Sequence, residues 1–145
     1  MSAKRFSASD LLSLVELEIS VLKRYYSHSN VTNSLSLIYF RLPEKNEGYE
    51  EAFERILRHT DAIVEEGEHI VALLFGTNKT GASKLLSGIQ EFLNEKPIDL
   101  IVSYPKDAKD AKTLLTLLQD DIKENYGVIL DCLKTDEPID IFEKF

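Results

Sequence analysis

The stretch DAIVEEGEHIVALLF, residues 61–75, decides the fold because it reads as two strands joined by one tight turn. Two apolar runs flank a cluster of acids that contains Gly67. Glycine adopts a positive φ at little cost, which suits the turn of a β-hairpin. We therefore expect the tip of a hairpin near Glu66-Gly67, with one strand on either side.

Hydrophobic spacing places further strands and helices around this hairpin. The run LSLIYFRL, residues 35–42, is rich in Ile, Tyr and Phe and predicts a strand in the centre of a sheet. IDLIVSY, residues 98–104, predicts another strand. Helices are predicted from an N-cap at Ser9 to about residue 27, over residues 49–60, after the loop GTNKTGAS (76–83), and up to a stop at Gly127.

The order after the first helix is β-α-β-β-α-β-α, which indicates an α+β fold. This order is typical of the ferredoxin-like βαββαβ sandwich, an antiparallel sheet with helices packed on one face. Residues 1–30 would be an added helix of linker or dimerisation type, and residues 31–145 the main domain. VILDCL, residues 128–133, is a candidate edge strand, and PIDIFEKF (138–145) has no clear pattern.

The first helix carries an apolar stripe that has to be buried somewhere. Its members fall at helical spacing and are Leu12, Val15, Ile19, Leu22 and Tyr26. Because this helix lies outside the βαββαβ unit, we expect it to pack against the edge of the sheet or against a second subunit.

Composition restricts the classes of function. A chain of 145 residues fits one domain, and a net charge of −8 argues against non-specific binding to nucleic acid. No apolar run approaches the ~20 residues that a membrane-spanning helix needs. The single cysteine, Cys132, has no partner for an internal disulfide, which predicts a reducing cytoplasm, and its apolar surroundings predict a small buried side chain.

Two segments together resemble the GGDEF (diguanylate cyclase) domain, a branch of the nucleotide-cyclase fold. They are RHTDAIVEEGEHIVALLFGT (58–77) and IDLIVSYPKDAKDAKTLL (98–115), and the resemblance extends over about residues 35–127. Members carry an Arg-x-x-Asp motif, the GGDEF hairpin and a Tyr-Pro-x-Asp-Ala connection in this order. The resemblance implies a signalling role connected with cyclic di-GMP.

The catalytic positions of that family are altered in this chain. The hairpin aligns as Glu66–Ile70, which keeps one acid of the pair, or as Gly67–Val71, which keeps none. The family's first strand ends in a Mg²⁺-binding aspartate, whereas this one ends in IYFRL (38–42). Since Mg²⁺ requires fixed carboxylates, we expect no catalytic residues, no metal and no cofactor. The chain is then a degenerate, non-catalytic signalling or regulatory module that acts through a protein partner or a homodimer.

Two alternatives stay open. Arg58 and Asp61 match the Arg-x-x-Asp motif that forms the family's inhibitory site, which would make the chain a receptor for cyclic di-GMP. Otherwise they are a helix-end arginine and a strand-opening aspartate, both solvated. The second alternative keeps only the fold, as a ferredoxin-like oligomerisation or subunit-interaction domain.

Two further motifs contain residue types that occur in binding sites. Glu66 and Glu68 could share one face of a strand, but His69 would point away from them, so a solvated turn is favoured over a metal site. GTNKTGAS has glycines and a lysine before a helix, yet it lacks the order of a phosphate-binding loop. It is interpreted as a helix-entry loop.

Overall fold

The computed structural model describes residues 4–26, 34–41, 57, 61–93 and 100–135. Its strands are β1 (Lys4–Arg5), β2 (Leu35–Arg41), β3 (Ala62–Glu66), β4 (His69–Phe75) and β5 (Ile101–Tyr104). Its α-helices are α1 (Leu11–Tyr26), α2 (Lys79–Leu93) and α3 (Ala111–Tyr126), and short 3-10 helices cover Ala8–Asp10 and Asp131–Leu133. The helix predicted over 49–60 lies outside the described residues apart from Leu57, as do the 30/31 domain boundary and the segment 138–145.

The five described strands form one sheet in the order β1-β3-β4-β2-β5. β3 and β4 make the antiparallel hairpin, and β2 runs antiparallel to both β4 and β5. The fold is therefore α+β, and the prediction that β2 is central is confirmed. β1 adds a short parallel pairing with β3 that the sequence did not indicate, because two residues are too few to show a period.

Helices cover both faces of this sheet. Leu37 and Tyr39 of β2 belong to a core shared with α1, α3 and the 3-10 helix Asp131–Leu133. Ile38 and Phe40 point to the other face, in a core shared with α2. The prediction that the helices pack on one face is wrong. Since both alternating sets of β2 side chains are apolar, both faces of the sheet have to be covered.

The apolar face of helix α1 is buried in the core of its own chain. Its buried side chains are Leu11, Val15, Ile19 and Leu22, and they join the core that contains α3 and the 3-10 helix Asp131–Leu133. The stripe thus begins one residue earlier than predicted, at Leu11, and Leu12 is half-buried. The expectation that this stripe packs on the sheet edge or on a second subunit is wrong, because the stripe is already covered within the same chain.

Helix α3 has a defined cap at each end. The side chain of Asp110 accepts a hydrogen bond from the backbone N–H of Thr113 at 2.8 Å, which lowers the pKa of Asp110 below its usual value. Gly127 ends the helix with φ +68°, which confirms the predicted stop. No helix among the described residues is long and apolar enough to cross a bilayer.

The edge strand predicted in VILDCL is wrong. Residues Asp131–Leu133 form a 3-10 helix, and the side chains of Cys132 and Leu133 are buried in the core beneath it. The backbone N–H groups of Asp131 and Cys132 bond to a side chain of the hairpin instead of a neighbouring strand. The apolar residues that suggested a strand are therefore used to anchor the segment that follows α3.

Candidate functional site

The β3–β4 hairpin closes through a two-residue turn, Gly67-Glu68. Glu66 and His69 are paired directly across it, and Gly67 has φ +61°. A positive φ at the first central position is shared by the I′ and II′ hairpin turns, whose twist matches that of the flanking strands. The predicted turn near Glu66-Gly67 is confirmed.

Each acid of the hairpin tip has its own partner in the chain. Glu65 forms an ion pair with Arg5 of β1. The carboxylate of Glu66 accepts hydrogen bonds from the backbone N–H groups of Asp131, at 2.9 Å, and Cys132, at 2.5 Å. The carboxylate of Glu68 lies 3.9 Å from the guanidinium of Arg41. Glu65 therefore contacts β1, Glu66 contacts the 3-10 helix Asp131–Leu133, and Glu68 contacts the end of β2.

The Glu66 carboxylate holds the 3-10 helix Asp131–Leu133 against the hairpin. Its two oxygens each take one N–H group, and such bonds to a charged acceptor are among the stronger ones in proteins. Because the helix Asp131–Leu133 begins with otherwise unpaired N–H groups, Glu66 acts as its cap. We refer to Glu66, Asp131 and Cys132 as the clasp.

The side chain of Cys132 is buried in the core, as predicted for a small hydrophobic side chain. Burial raises the pKa of its thiol well above the usual value, and the nearby carboxylate of Glu66 raises this pKa further. The thiol therefore stays protonated at neutral pH. A nucleophile needs the thiolate, so the environment of Cys132 is that of a structural cysteine.

His69 faces the same side of the sheet as Glu66, because the two are directly opposed across the hairpin. The prediction that His69 points away is wrong, since it counted the turn as a continued strand. The Nδ1 atom of His69 lies 2.6 Å from the hydroxyl of Tyr39, and the two rings stack with centroids 5.9 Å apart. His69 and Glu66 are thus held by different partners.

The end of β2 carries a cation beside the hairpin. Arg41 pairs with His69 in the strand register, and Tyr39 pairs with Val71. The guanidinium of Arg41 lies 5.2 Å from the ring centre of Tyr126, at the end of α3. Among the described residues, no group of three or more His, Cys, Asp or Glu side chains is placed to hold a metal ion.

Of the predicted Arg58–Asp61 pair, Arg58 lies outside the described residues. Asp61 directly precedes β3, as predicted, but its side chain is 1% exposed rather than solvated, and it has interactions within the chain. It also lies at the end of β3 away from the turn. The binding role of the pair stays a prediction.

Sequence reasoning missed a polar cluster around two buried serines at the opposite end of the sheet. The hydroxyl of Ser36 donates to the backbone carbonyl of Thr77 at 2.8 Å and lies 2.7 Å from the hydroxyl of Ser103. The carboxylate of Asp107 accepts from the backbone N–H of Ser103 and from Lys79, at 2.8 and 3.2 Å. The sequence feature that could have indicated this cluster is the presence of a serine inside each of the apolar runs LSLIYF and LIVSY.

The segment GTNKTGAS leads into α2, which begins at Lys79, and this confirms the helix-entry interpretation. The Oδ1 atom of Asn78 accepts a hydrogen bond from the backbone N–H of Gly81 at 2.9 Å, which satisfies one free N–H of the first turn. The ammonium group of Lys79 pairs with Asp107. The side chains of Asn78 and Lys79 therefore have structural roles.

Comparison of the chain with protein-family models, with curated proteins and with solved structures finds no match. The class that the fold and the hairpin define is an α+β domain with one β-sheet between two helical layers.

Proposed function

We propose that this chain is a non-catalytic signalling or regulatory module with a ferredoxin-like, GGDEF-like core that acts through protein contacts. The strand order supports the ferredoxin-like part. β2 and β3 both run antiparallel to β4, which lies between them, and this is the arrangement of a split βαβ unit. β5 pairs with the other edge of β2, as the last strand of such a unit would.

The contacts of the hairpin acids, above all the ion pair of Glu68 with Arg41, are the observation that carries the non-catalytic part. The one acid of the catalytic pair that the Glu66–Ile70 alignment keeps is Glu68, and its carboxylate lies 3.9 Å from the guanidinium of Arg41. Glu66 stands at a glycine position of that alignment, and its two oxygens accept backbone N–H groups of the segment after α3. The neighbouring strand offers the guanidinium of Arg41 where a metal site would need a second carboxylate. A hairpin with these contacts stabilises the fold and has no acid pair for Mg²⁺.

Incubation of the purified protein with GTP and Mg²⁺ tests this proposal. We expect no cyclic di-GMP above a protein-free blank when the products are separated by chromatography, because the charge-neutralising metal site is missing. An active diguanylate cyclase in the same buffer is the positive control. Formation of cyclic di-GMP that is lost in a Glu68→Ala variant would refute the proposal.

Binding of cyclic di-GMP through Arg58 and Asp61 is the second candidate. Asp61 is the one charged side chain among the buried residues of the described part of the chain, so a ligand would have to displace its contacts there. Calorimetric titration separates the two candidates. The protein-contact proposal predicts no heat of binding at tens of micromolar ligand. Saturable heat that disappears in Arg58→Ala, but persists in the control Arg24→Ala, would establish the receptor.

A further inference from the structure

Helix α1 carries a second, largely apolar stripe beside the one that is buried in the core. Its members follow the helical spacing i, i+3, i+4 and i+7, and they are Leu14, Leu17, Glu18 and Val21. The side chain of Leu17 is 59% exposed, and the other three side chains are half-buried. We refer to these four residues as the outer stripe.

Glu18 is the one charged side chain of the outer stripe, and its charge has no counterpart. Among the described residues, none forms a hydrogen bond or an ion pair with its carboxylate. Burial raises the pKa of Glu18 above its usual value, because the charged form loses contact with water. A half-buried carboxylate between apolar side chains is therefore suited to receive a cation from outside the chain.

We propose that the outer stripe of α1 binds an amphipathic helix of a partner protein, and that a lysine or arginine of this helix pairs with Glu18. Apolar residues of the partner at the same helical spacing pack against Leu14, Leu17 and Val21. The choice of a protein as the ligand rests on the proposed function. The need for a cation follows independently from the unpaired carboxylate of Glu18.

The charge of the chain favours a cationic helix over other surfaces that an apolar stripe can meet. A net charge of −8 attracts a basic partner and repels a second copy of the same chain. An anionic lipid surface would be repelled by Glu18 and by the exposed Glu16. The cations of α1, Lys23 and Arg24, lie in its last turn, beyond the outer stripe.

A titration followed by amide resonances in nuclear magnetic resonance tests this surface on the full chain. The probe is a synthetic helical peptide of alanine and glutamine, with leucines at positions i, i+3 and i+7 and a lysine at i+4. The control peptide has glutamate in place of the lysine. We expect the lysine peptide to shift the amide resonances of the outer stripe saturably. The glutamate peptide should bind at least about tenfold more weakly.

Three variants of the chain locate the contact. Glu18→Gln should weaken binding of the lysine peptide about fivefold, because the ion pair is lost. Glu16→Gln is the matched control, since it also removes one negative charge, from an exposed position on the same helix, and it should change the affinity less than about twofold. Leu17→Ala should weaken binding about fivefold without unfolding the chain, because Leu17 is 59% exposed.

Several results would overturn the proposal. Equal affinities of the two peptides, or equal losses in Glu18→Gln and Glu16→Gln, would show that Glu18 recognises no cation. The absence of shifts in the outer stripe at millimolar peptide would show that this face binds no such helix. Shifts caused by dilution of the protein alone would assign the face to a second copy, and shifts caused only by anionic lipid vesicles would assign it to a membrane. No arm uses GTP, so failure of this surface and failure of the non-catalytic proposal are seen in different experiments.

Discussion

Replacing Glu66 by alanine is expected to lower the free energy of unfolding by about 2–3 kcal/mol. The change removes the acceptor of two hydrogen bonds, at 2.9 and 2.5 Å, and leaves the backbone N–H groups of Asp131 and Cys132 without it. The 3-10 helix that they begin also covers part of the core through Cys132 and Leu133. Urea unfolding followed by circular dichroism measures the effect.

Glu68→Ala is the matched control, because Glu68 lies two residues away on the same hairpin. Its ion pair with Arg41 spans 3.9 Å and is solvent-exposed, so its removal should cost no more than about 0.5 kcal/mol. If the two variants lose the same stability, the clasp has no special role. A loss for Glu66→Ala below that of Glu68→Ala would contradict the structural assignment of Glu66.

Replacing Leu22 of α1 by alanine should cost about 3 kcal/mol, the typical effect of emptying a fully buried leucine site. Leu22 is 1% exposed and lies in the core shared with α3. The control is Leu17→Ala on the same helix, since Leu17 is 59% exposed. We expect that variant to stay within about 0.5 kcal/mol of the wild type.

The same pair of variants tests whether α1 is internal or intersubunit. For a helix buried within its own chain, the unfolding midpoint of wild type and Leu22→Ala should not depend on protein concentration. A midpoint that rises with protein concentration, together with a larger loss for Leu17→Ala than for Leu22→Ala, would show that α1 packs against a second copy instead.

The central part of the fold could be predicted because its signals are local and periodic. The continuous apolar run of β2 and the glycine of the hairpin placed three strands, and Gly67 and Gly127 have the positive φ values of their predicted turn and stop. The stripe of α1 was also visible in the sequence. The surface against which this stripe packs could not be predicted, because a periodic stripe shows that a helix face is buried without showing what covers it.

The remaining features depend on contacts between residues far apart in the sequence. Glu66 bonds to Asp131 and Cys132, about 65 positions later in the sequence. Since the sequence does not show this contact, the apolar segment VILDCL was expected to pair its N–H groups with a strand. The side of the sheet to which His69 points depends on the position of the two-residue turn. A shift of the turn by one residue would move the His69 side chain to the opposite face of the sheet. Arg41 became informative only once its contacts with Glu68 and Tyr126 were known.

Amide hydrogen exchange at Asp131 and Cys132 is the most direct test of the claim that the hairpin tip is a structural clasp rather than a reaction centre. Both amides should be protected in the wild type and in Glu68→Ala, and should exchange at least about tenfold faster in Glu66→Ala. The amide of Gly127, which bonds to the carbonyl of Lys123 at 2.8 Å, serves as the internal reference for global opening. Unchanged protection of Asp131 and Cys132 relative to Gly127 would contradict the clasp.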